Sequence, residues 1–240
     1  MSSAILEAVD VDVRFGGLQA LAGANIEAHP GTITGLIGPN GAGKTTLFNV
    51  ITGHQAPTAG DVRLLGKSVR RLGVARRAQL GMCRTFQKLE AFNSLSARDN
   101  VLVAAEMHRS IRNPAGLADQ ILDRVGLGDV AEITVGTLPT GTARLVELAR
   151  ALATQPKVLL LDEASSGLTE EETNAVGDLL KQLVTEDDLA VLLVEHDMSF
   201  VMNTCSLIHV LDFGHIIAVG TPDEVQGDAA VRAAYLGVDE

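Results

Sequence analysis

The stretch GPNGAGKTT, residues 38–46, follows the apolar run TITGLI and precedes a segment with helical periodicity. It has the pattern G-x-x-x-x-G-K-[ST] in the strand–loop–helix context that the pattern requires. Glycines let such a loop curl so that successive backbone N–H groups point inward, and the helix that follows adds the positive end of its dipole. We therefore expect residues 38–46 to bind a chain of phosphates.

Two side chains of this loop have specific predicted roles. Lys44 should reach the β- and γ-phosphates of a nucleotide, and the hydroxyl of Thr45 should bind Mg²⁺. The alternative, a glycine-rich turn with a chance lysine, is disfavoured by the complete pattern and its context. The other predicted nucleotide contacts are Gly38, Pro39, Asn40, Gly41, Ala42, Gly43 and Thr46.

A second stretch, VLLLDE at residues 158–163, brings two acids to the end of an apolar strand. Open α/β sheets bind their ligands at the carboxyl ends of the strands. Asp162 fits a carboxylate that holds the metal, and Glu163, on the opposite face, fits a residue that orients or deprotonates water. Two adjacent acids can also begin a solvated loop, but next to a phosphate loop the catalytic interpretation is favoured.

The rest of the sequence alternates between strand-like and helical patterns. Strands are predicted within the first 35 residues, and helix and strand alternate from Leu138 onward around the apolar runs at 158–161 and 190–194. This alternation predicts an α/β fold, with a buried, mostly parallel sheet flanked by helices.

The middle of the chain differs from its flanks. Residues 88 to 137 are more polar and contain helical stretches near 97–108 and 116–125, interrupted by NPAG. We interpret this segment as a helical insertion rather than an independent domain. A chain of 240 residues with 46% hydrophobic residues can form one domain with a sizeable core.

Composition disfavours several classes of protein. The formal net charge of −11 argues against a dedicated nucleic-acid-binding protein, which would normally be basic. Eight of the 19 basic residues lie between Arg63 and Lys88, and we interpret them as a solvated helix face without a function. Cys83 and Cys205 are far apart, which suits a reducing compartment. The chain begins without a signal-peptide pattern and its apolar runs are too short to span a bilayer, so we expect a soluble, cytoplasmic protein.

Taken together, these motifs resemble those of the ATP-binding subunits of ABC transporters, and the resemblance covers nearly the whole chain. The resemblance implies an ABC-type P-loop ATPase cassette with a mostly parallel core sheet and an N-terminal antiparallel β part. It also implies that residues 1–240 form a single ABC ATPase domain, with a helical subdomain at about 88–152 inserted in the α/β core.

Three further residues match positions that have roles in that family. RTFQ places Gln87 where the family has a glutamine that meets Mg²⁺ and water, and VEHD places His196 where it has a histidine that senses the γ-phosphate. VRFGGLQAL places Phe15 where the family stacks an aromatic ring on adenine. Each residue has an alternative: Gln87 a polar strand end, His196 a structural histidine, and Phe15 a core side chain.

The sequence LPTGT lies where the family carries its signature, usually LSGGQ. In the family, two subunits pair head to tail, and the signature of each covers the γ-phosphate bound by the other. A helix N-terminus with a glycine and hydroxyl donors suits such an anion. The resemblance thus assigns this contact to Leu138, Thr140, Gly141 and Thr142.

This sequence departs from the family in two places. In LPTGT only Leu138 and Gly141 match, and the alternative to an anion receptor is a helix capped by threonine. After Glu163, EASSGLT lacks the usual proline and ends in Thr169 rather than the aspartate that normally contacts the partner subunit. We therefore expect unusual coupling between the two subunits.

Within the family, RTFQ, VEHDM and the C-terminal YLG resemble the subunits of branched-chain amino-acid importers. The resemblance therefore implies import of branched-chain amino acids or similar small polar solutes. VLDFG is also typical of lipopolysaccharide exporters, so the ATPase of such an exporter is an alternative. A P-loop kinase or GTPase is a weaker alternative, since the sequence has no N-K-x-D motif for guanine.

The resemblance also implies cofactors and partners. The cofactors are ATP and Mg²⁺, and ATP hydrolysis is coupled to transport across the membrane. The partners are integral membrane permease subunits, a second cassette that is identical or different, and an extracytoplasmic solute-binding protein, with no nucleic acid. The expected location is peripheral, on the cytoplasmic side of the membrane.

Overall fold

The computed structural model describes residues 3–85, 90–107 and 111–236. The strands are β1 (Leu6–Phe15), β2 (Leu18–Ala28), β3 (Ile33–Ile37), β4 (Ala59–Leu64), β5 (Lys67–Ser68), β6 (Met82–Arg84), β7 (Val158–Asp162), β8 (Ala190–Val194), β9 (Leu207–Asp212) and β10 (His215–Gly220). The helices are α1 (Lys44–Thr52), α2 (Val74–Gln79), α3 (Ala97–Glu106), α4 (Pro114–Arg124), α5 (Thr140–Ala153), α6 (Glu170–Asp187), α7 (Met198–Thr204), α8 (Pro222–Gly227) and α9 (Ala229–Leu236). No helix in these three stretches is both long and apolar enough to cross a membrane.

The strands form two sheets. The first has the order β2-β1-β4-β5 and is antiparallel. The second has the order β10-β9-β3-β8-β7-β6, in which only the edge pair β10–β9 is antiparallel. The predicted α/β fold, with a mostly parallel core sheet and an N-terminal antiparallel part, is therefore confirmed.

β3, β8 and β7 lie side by side in the parallel sheet, and every residue of these strands is buried. Their nearly unbroken apolar sequences follow from this position, since both faces of the sheet are covered. One face packs against the antiparallel sheet and α1, and the other packs against α6 and α7. The segments that follow Ile37, Asp162 and Val194 therefore meet at one edge of the sheet.

Between β6 and β7, helices α3, α4 and α5 pack around an apolar core of their own. The helix predicted near 97–108 corresponds to α3, which ends at Glu106. The sequence NPAG, which we predicted to interrupt the helices, instead begins α4. Asn113 caps this helix by accepting a hydrogen bond from the N–H of Gly116, and a proline is well suited to the first turn that follows.

The interpretation of the basic cluster as a solvated face is wrong for two residues: Arg84, whose side chain is 8% exposed and pairs with an acid described below, and Arg77. Arg77 is only 2% exposed. Its guanidinium donates hydrogen bonds to the carbonyls of Val50 (2.7 Å) and Ile51 (2.5 Å) at the end of α1, and to Leu72 O (2.9 Å). Arg77 therefore supplies donors to carbonyl groups at the end of α1, where the carbonyl of Val50 also accepts a hydrogen bond from the N–H of Gly53 (3.2 Å). Arg63, Arg70, Arg71 and Arg76 are exposed, as predicted.

A buried histidine in β9 should make the stability of the protein depend on pH. His209 is 6% exposed, and neither of its ring nitrogens has a hydrogen-bond partner within the described part of the chain. Burial lowers its pKa to about 4, from 6.5 in the unfolded chain. Between these values the unfolded state binds more protons, so the free energy of unfolding falls as the pH falls.

We expect His209 to lower the free energy of unfolding by about 2 kcal/mol between about pH 7.5 and about pH 5. Urea unfolding of the wild type and of His209→Leu at both pH values measures this contribution. His209→Leu should lose less stability on acidification than the wild type. The control His215→Leu, at an exposed position on β10, should lose as much as the wild type. Equal losses in the wild type and His209→Leu would contradict the prediction.

Candidate nucleotide site

The predicted phosphate loop joins β3 to α1, as the sequence pattern requires. Gly38, Gly41 and Gly43 have φ angles of 152°, 82° and 111°, which residues with side chains rarely adopt. A Cβ atom at Gly38 would overlap the carbonyl oxygen of Leu211, and one at Gly43 would lie 2.7 Å from Ala20 O. The loop is therefore held tightly between β2 and β9, and its glycines are needed for both conformation and space.

Lys44 is buried and lies across this loop. Its Nζ donates hydrogen bonds to the carbonyls of Gly38 (2.5 Å) and Pro39 (2.9 Å). Burial lowers its pKa, and the negative charges of Glu163 and Asp162 oppose that shift. The ammonium group thus lies in the electrostatic field of both predicted acids and next to the backbone that would surround the phosphates.

The other predicted loop residues surround this lysine. Gly43 is the N-cap of α1, and no side chain of the described residues caps that helix. The start of α1 therefore offers its backbone dipole to an anion. Asn40, Gly41 and Thr45 are exposed, Ala42 is buried, and Pro39 and Thr46 are half-buried.

Asp162, at the end of β7, is buried and forms an ion pair that we did not predict. Its Oδ2 lies 2.6 Å from Nη2 of Arg84, the last residue of β6. Arg84 also donates to Oδ1 of Asn49 on α1 (2.7 Å). The carboxylate of Asp162 and the hydroxyl of Thr45 are hard oxygen donors of the kind that Mg²⁺ prefers, so these residues fit the predicted metal.

Glu163 and His196 are brought together as a pair. Oε1 of Glu163 lies 3.2 Å from Nε2 of His196, which is exposed to solvent. The backbone of Glu163 has a φ of 54°, a left-handed conformation that is unfavourable for a residue with a long side chain. Its N–H donates to Val194 O at the end of β8 (2.9 Å). The two acids have different partners, Asp162 an arginine and Glu163 a histidine, in line with different roles.

The LPTGT segment is not a threonine cap. Helix α5 begins at Thr140, its N-cap is Pro139, and no side chain of the described residues makes a capping hydrogen bond there. Thr140 is exposed, Leu138 and Thr142 are half-buried, and Gly141 is buried.

A neighbouring carboxylate explains why Gly141 is buried. A Cβ atom at this position would clash with the carboxylate of Glu172 on α6. Glu172 belongs to a capping box with Thr169, in which each side chain accepts a hydrogen bond from the other residue's backbone N–H (2.8 and 3.2 Å). Thr169, which departs from the family, therefore has a structural role here. Any side chain at Gly141 would disturb this packing.

Phe15 and Gln87 are the remaining predicted site residues. Phe15 ends β1 and is 49% exposed; its strand pairs with β2, whose Ala20 lies next to Gly43. Gln87 lies outside the described residues.

Comparisons with known proteins show which family the chain belongs to. A family model described as ABC transporter matches residues 21–166, and one described as branched-chain amino acid ATP-binding cassette transporter matches residues 215–240. The high-affinity branched-chain amino acid transport ATP-binding proteins BraF of Pseudomonas aeruginosa and LivG of Escherichia coli are 38% and 36% identical, each over 99% of both chains. A crystal structure of an ATP-binding cassette of an ABC transporter, in its ADP conformation, superposes with a TM-score of 0.88 and 28% sequence identity. The match covers 98% of this chain and 100% of the cassette in that structure. The chain therefore belongs to the ABC transporter family, as one of its ATP-binding, ATP-hydrolysing subunits.

Proposed function

We propose that this ATPase powers the import of branched-chain amino acids through a membrane transporter. The cargo is supported by the two named relatives and by the second family model, which matches residues 215–240. The chemistry is supported by one observation above all: the carboxylate of Glu163 lies 3.2 Å from His196, at the sheet edge that carries the phosphate loop. In this proposal residues 1–240 act as a single ABC ATPase domain, with the helical subdomain at about 88–152 inserted in its core.

In the proposed mechanism, Lys44 and the loop amides bind the β- and γ-phosphates. Thr45, Gln87 and Asp162 would hold Mg²⁺, which when bound supplies positive charge to the phosphate oxygens. Glu163 orients the attacking water and accepts its proton. His196, whose ring already contacts Glu163, and Gln87 respond to the γ-phosphate. Phe15 would stack on the adenine ring.

We also propose that two cassettes pair head to tail, so that the LPTGT segment of each covers the γ-phosphate bound by the other. The start of α5, which no side chain of the described residues caps, supports this role. The Glu172 carboxylate beside Gly141 is a negative charge next to this surface, so exposed Thr140 and half-buried Thr142 are the side chains best placed to donate to a phosphate.

A groove near the start of the helical part would receive a cytoplasmic helix of the permease. It has a volume of about 220 Å³ and is lined by residues that include Phe92, Met107 and Arg150. Met107 is 81% exposed, and the guanidinium of Arg150 stacks over the ring of Phe92 at 4.6 Å. Docking there would place the ATPase peripherally on the cytoplasmic side of the membrane.

Replacing Lys44 by alanine should weaken binding of Mg·ATP by about 10–100-fold, since charge-assisted hydrogen bonds to phosphate are worth about 1.5–3 kcal/mol. Titration of a fluorescent ATP analogue against each purified variant measures the affinity. Lys67→Ala, which removes an exposed lysine from β5, is the matched control and should bind like the wild type. Equal affinity of Lys44→Ala and the control would exclude the phosphate-loop role.

The transport proposal is tested by expressing the chain with its membrane subunits and reconstituting the purified complex in proteoliposomes. ATP hydrolysis should rise when a solute-binding protein loaded with leucine is added inside the vesicles, opposite the cassettes. Stimulation by lipopolysaccharide instead would favour the exporter, and failure to co-purify with any membrane subunit would contradict a role in transport.

A further inference from the structure

Glu195, the residue after β8 and the glutamate of VEHD, is a buried acid with no role in the proposed mechanism. It is 3% exposed. Its Oε1 accepts a hydrogen bond from the backbone N–H of Ser165 (2.7 Å), and its Oε2 accepts from the hydroxyl of Ser165 (2.9 Å) and from the N–H of His196 (3.2 Å). One carboxylate therefore connects the turn after β7 to the turn after β8.

Burying the carboxylate of Glu195 at the end of β8 costs free energy of desolvation. Burial and the negative charge of Glu163 raise the pKa of Glu195, whereas the hydrogen bonds from Ser165 and His196 lower it. An apolar side chain would extend the buried sequence of β8 without that cost. The three donors offset part of the desolvation of the carboxylate, and they belong to His196 itself and to Ser165, two residues after Glu163.

The hydrogen bonds of Glu195 lie close to the strained backbone of Glu163. Glu163 keeps its left-handed conformation only if the surrounding contacts favour it. Ser165 lies two residues further along the chain, in the turn closed by the hydrogen bond from Ser166 N–H to Glu163 O (3.1 Å). Fixing Ser165 to Glu195 fixes that turn, and the bond to His196 N–H fixes the histidine on the other side of the pair.

We propose that Glu195 is a positioning residue of the hydrolytic site: through Ser165 and His196 it holds the carboxylate of Glu163 in its reactive geometry. The proposal rests on the proposed role of Glu163. It gives the Ser165 turn, part of the segment EASSGLT, a direct connection to the histidine that responds to the γ-phosphate.

Two variants test it. Glu195→Gln keeps the shape but replaces one acceptor oxygen with a donor, and Ser165→Ala removes only the hydroxyl bond. Both should lower kcat, the former by about 10–100-fold, while KM and the affinity for ATP stay within about twofold. Ser206→Ala is the control, because it also removes a hydroxyl that donates a hydrogen bond, here to the carbonyl of Ile33 at the opposite edge of the sheet. It should retain the wild-type kcat.

A double-mutant cycle with Glu163→Gln separates positioning from a general structural effect. If Glu195 acts through Glu163, adding Glu195→Gln to Glu163→Gln should not lower the residual rate further. Independent, multiplicative losses would overturn the proposal, as would a folded Glu195→Gln with wild-type kcat. If Glu195→Gln does not fold, the same cycle with Ser165→Ala decides. If the single variant Glu163→Gln keeps full activity, the proposed function fails. If Glu163→Gln loses activity while Glu195→Gln and Ser165→Ala keep the wild-type kcat, only the positioning role of Glu195 fails.

Discussion

Glu163→Gln should lower the turnover of ATP by about 10²–10⁴-fold, because glutamine can neither accept a proton from water nor carry the charge that orients it. The affinity for ATP should change little, since the residue acts on the attacking water rather than on the bound phosphates. The side chain lies 3.2 Å from His196, and glutamine can keep that contact because its amide oxygen still accepts a hydrogen bond. Release of inorganic phosphate by the purified variant measures the effect.

Glu171→Gln is the matched control, since it makes the same chemical change at an exposed position on α6 and should hydrolyse ATP at the wild-type rate. Glu163→Gln loaded with Mg·ATP should also accumulate as a pair of cassettes, which light scattering after gel filtration detects. An unchanged turnover would remove Glu163 from the reaction. A variant that stays a single chain with ATP, both alone and with its membrane subunits, would remove the head-to-tail pair from the proposal.

The parts of the site that could be predicted from sequence are local. The phosphate loop is nine consecutive residues whose glycines and lysine act through their own backbone and through a helix that begins within the same stretch. Asp162 and Glu163 end an apolar strand, so their place at the carboxyl edge follows from the fold class alone. His196 was found only by resemblance to the family, because a single histidine after a strand has no pattern of its own.

The parts that could not be predicted are contacts between residues far apart in the chain. Arg84 meets Asp162 across 78 positions, and Glu195 meets Ser165 across 30. A sequence shows that Arg84, Asp162 and Glu195 are charged, but not which partners the fold buries them against. Arginine and glutamate are mostly exposed in proteins, so a surface role was the natural expectation for the basic cluster. Arg77 contradicts this expectation, because its guanidinium is buried where it can donate hydrogen bonds to the carbonyl groups at the end of α1.

Arg77→Met should therefore lower the free energy of unfolding by about 3 kcal/mol, an effect far above that of an ordinary surface substitution. Methionine restores much of the apolar volume, but it removes the guanidinium donors from the carbonyls of Val50, Ile51 and Leu72, of which Val50 keeps the N–H of Gly53. Arg77→Lys keeps the charge and can satisfy fewer of these carbonyls, because an ammonium group lacks the planar fork of a guanidinium, so its loss should be intermediate. Urea unfolding monitored by circular dichroism gives all of these values.

Arg76→Met is the control for charge and helix propensity, since Arg76 is the exposed neighbour of Arg77 on the same helix and donates a hydrogen bond only to Gln79 among the described side chains. Its stability should stay within about 0.5 kcal/mol of the wild type. Because α1 carries Lys44 at its other end, loss of the Arg77 contacts should also weaken ATP binding if the helix shifts as a unit. A stability loss in Arg77→Met no larger than in Arg76→Met would mean that solvent or a shifted side chain satisfies the end of α1, and Arg77 would then be a buried residue without a role in holding the phosphate loop.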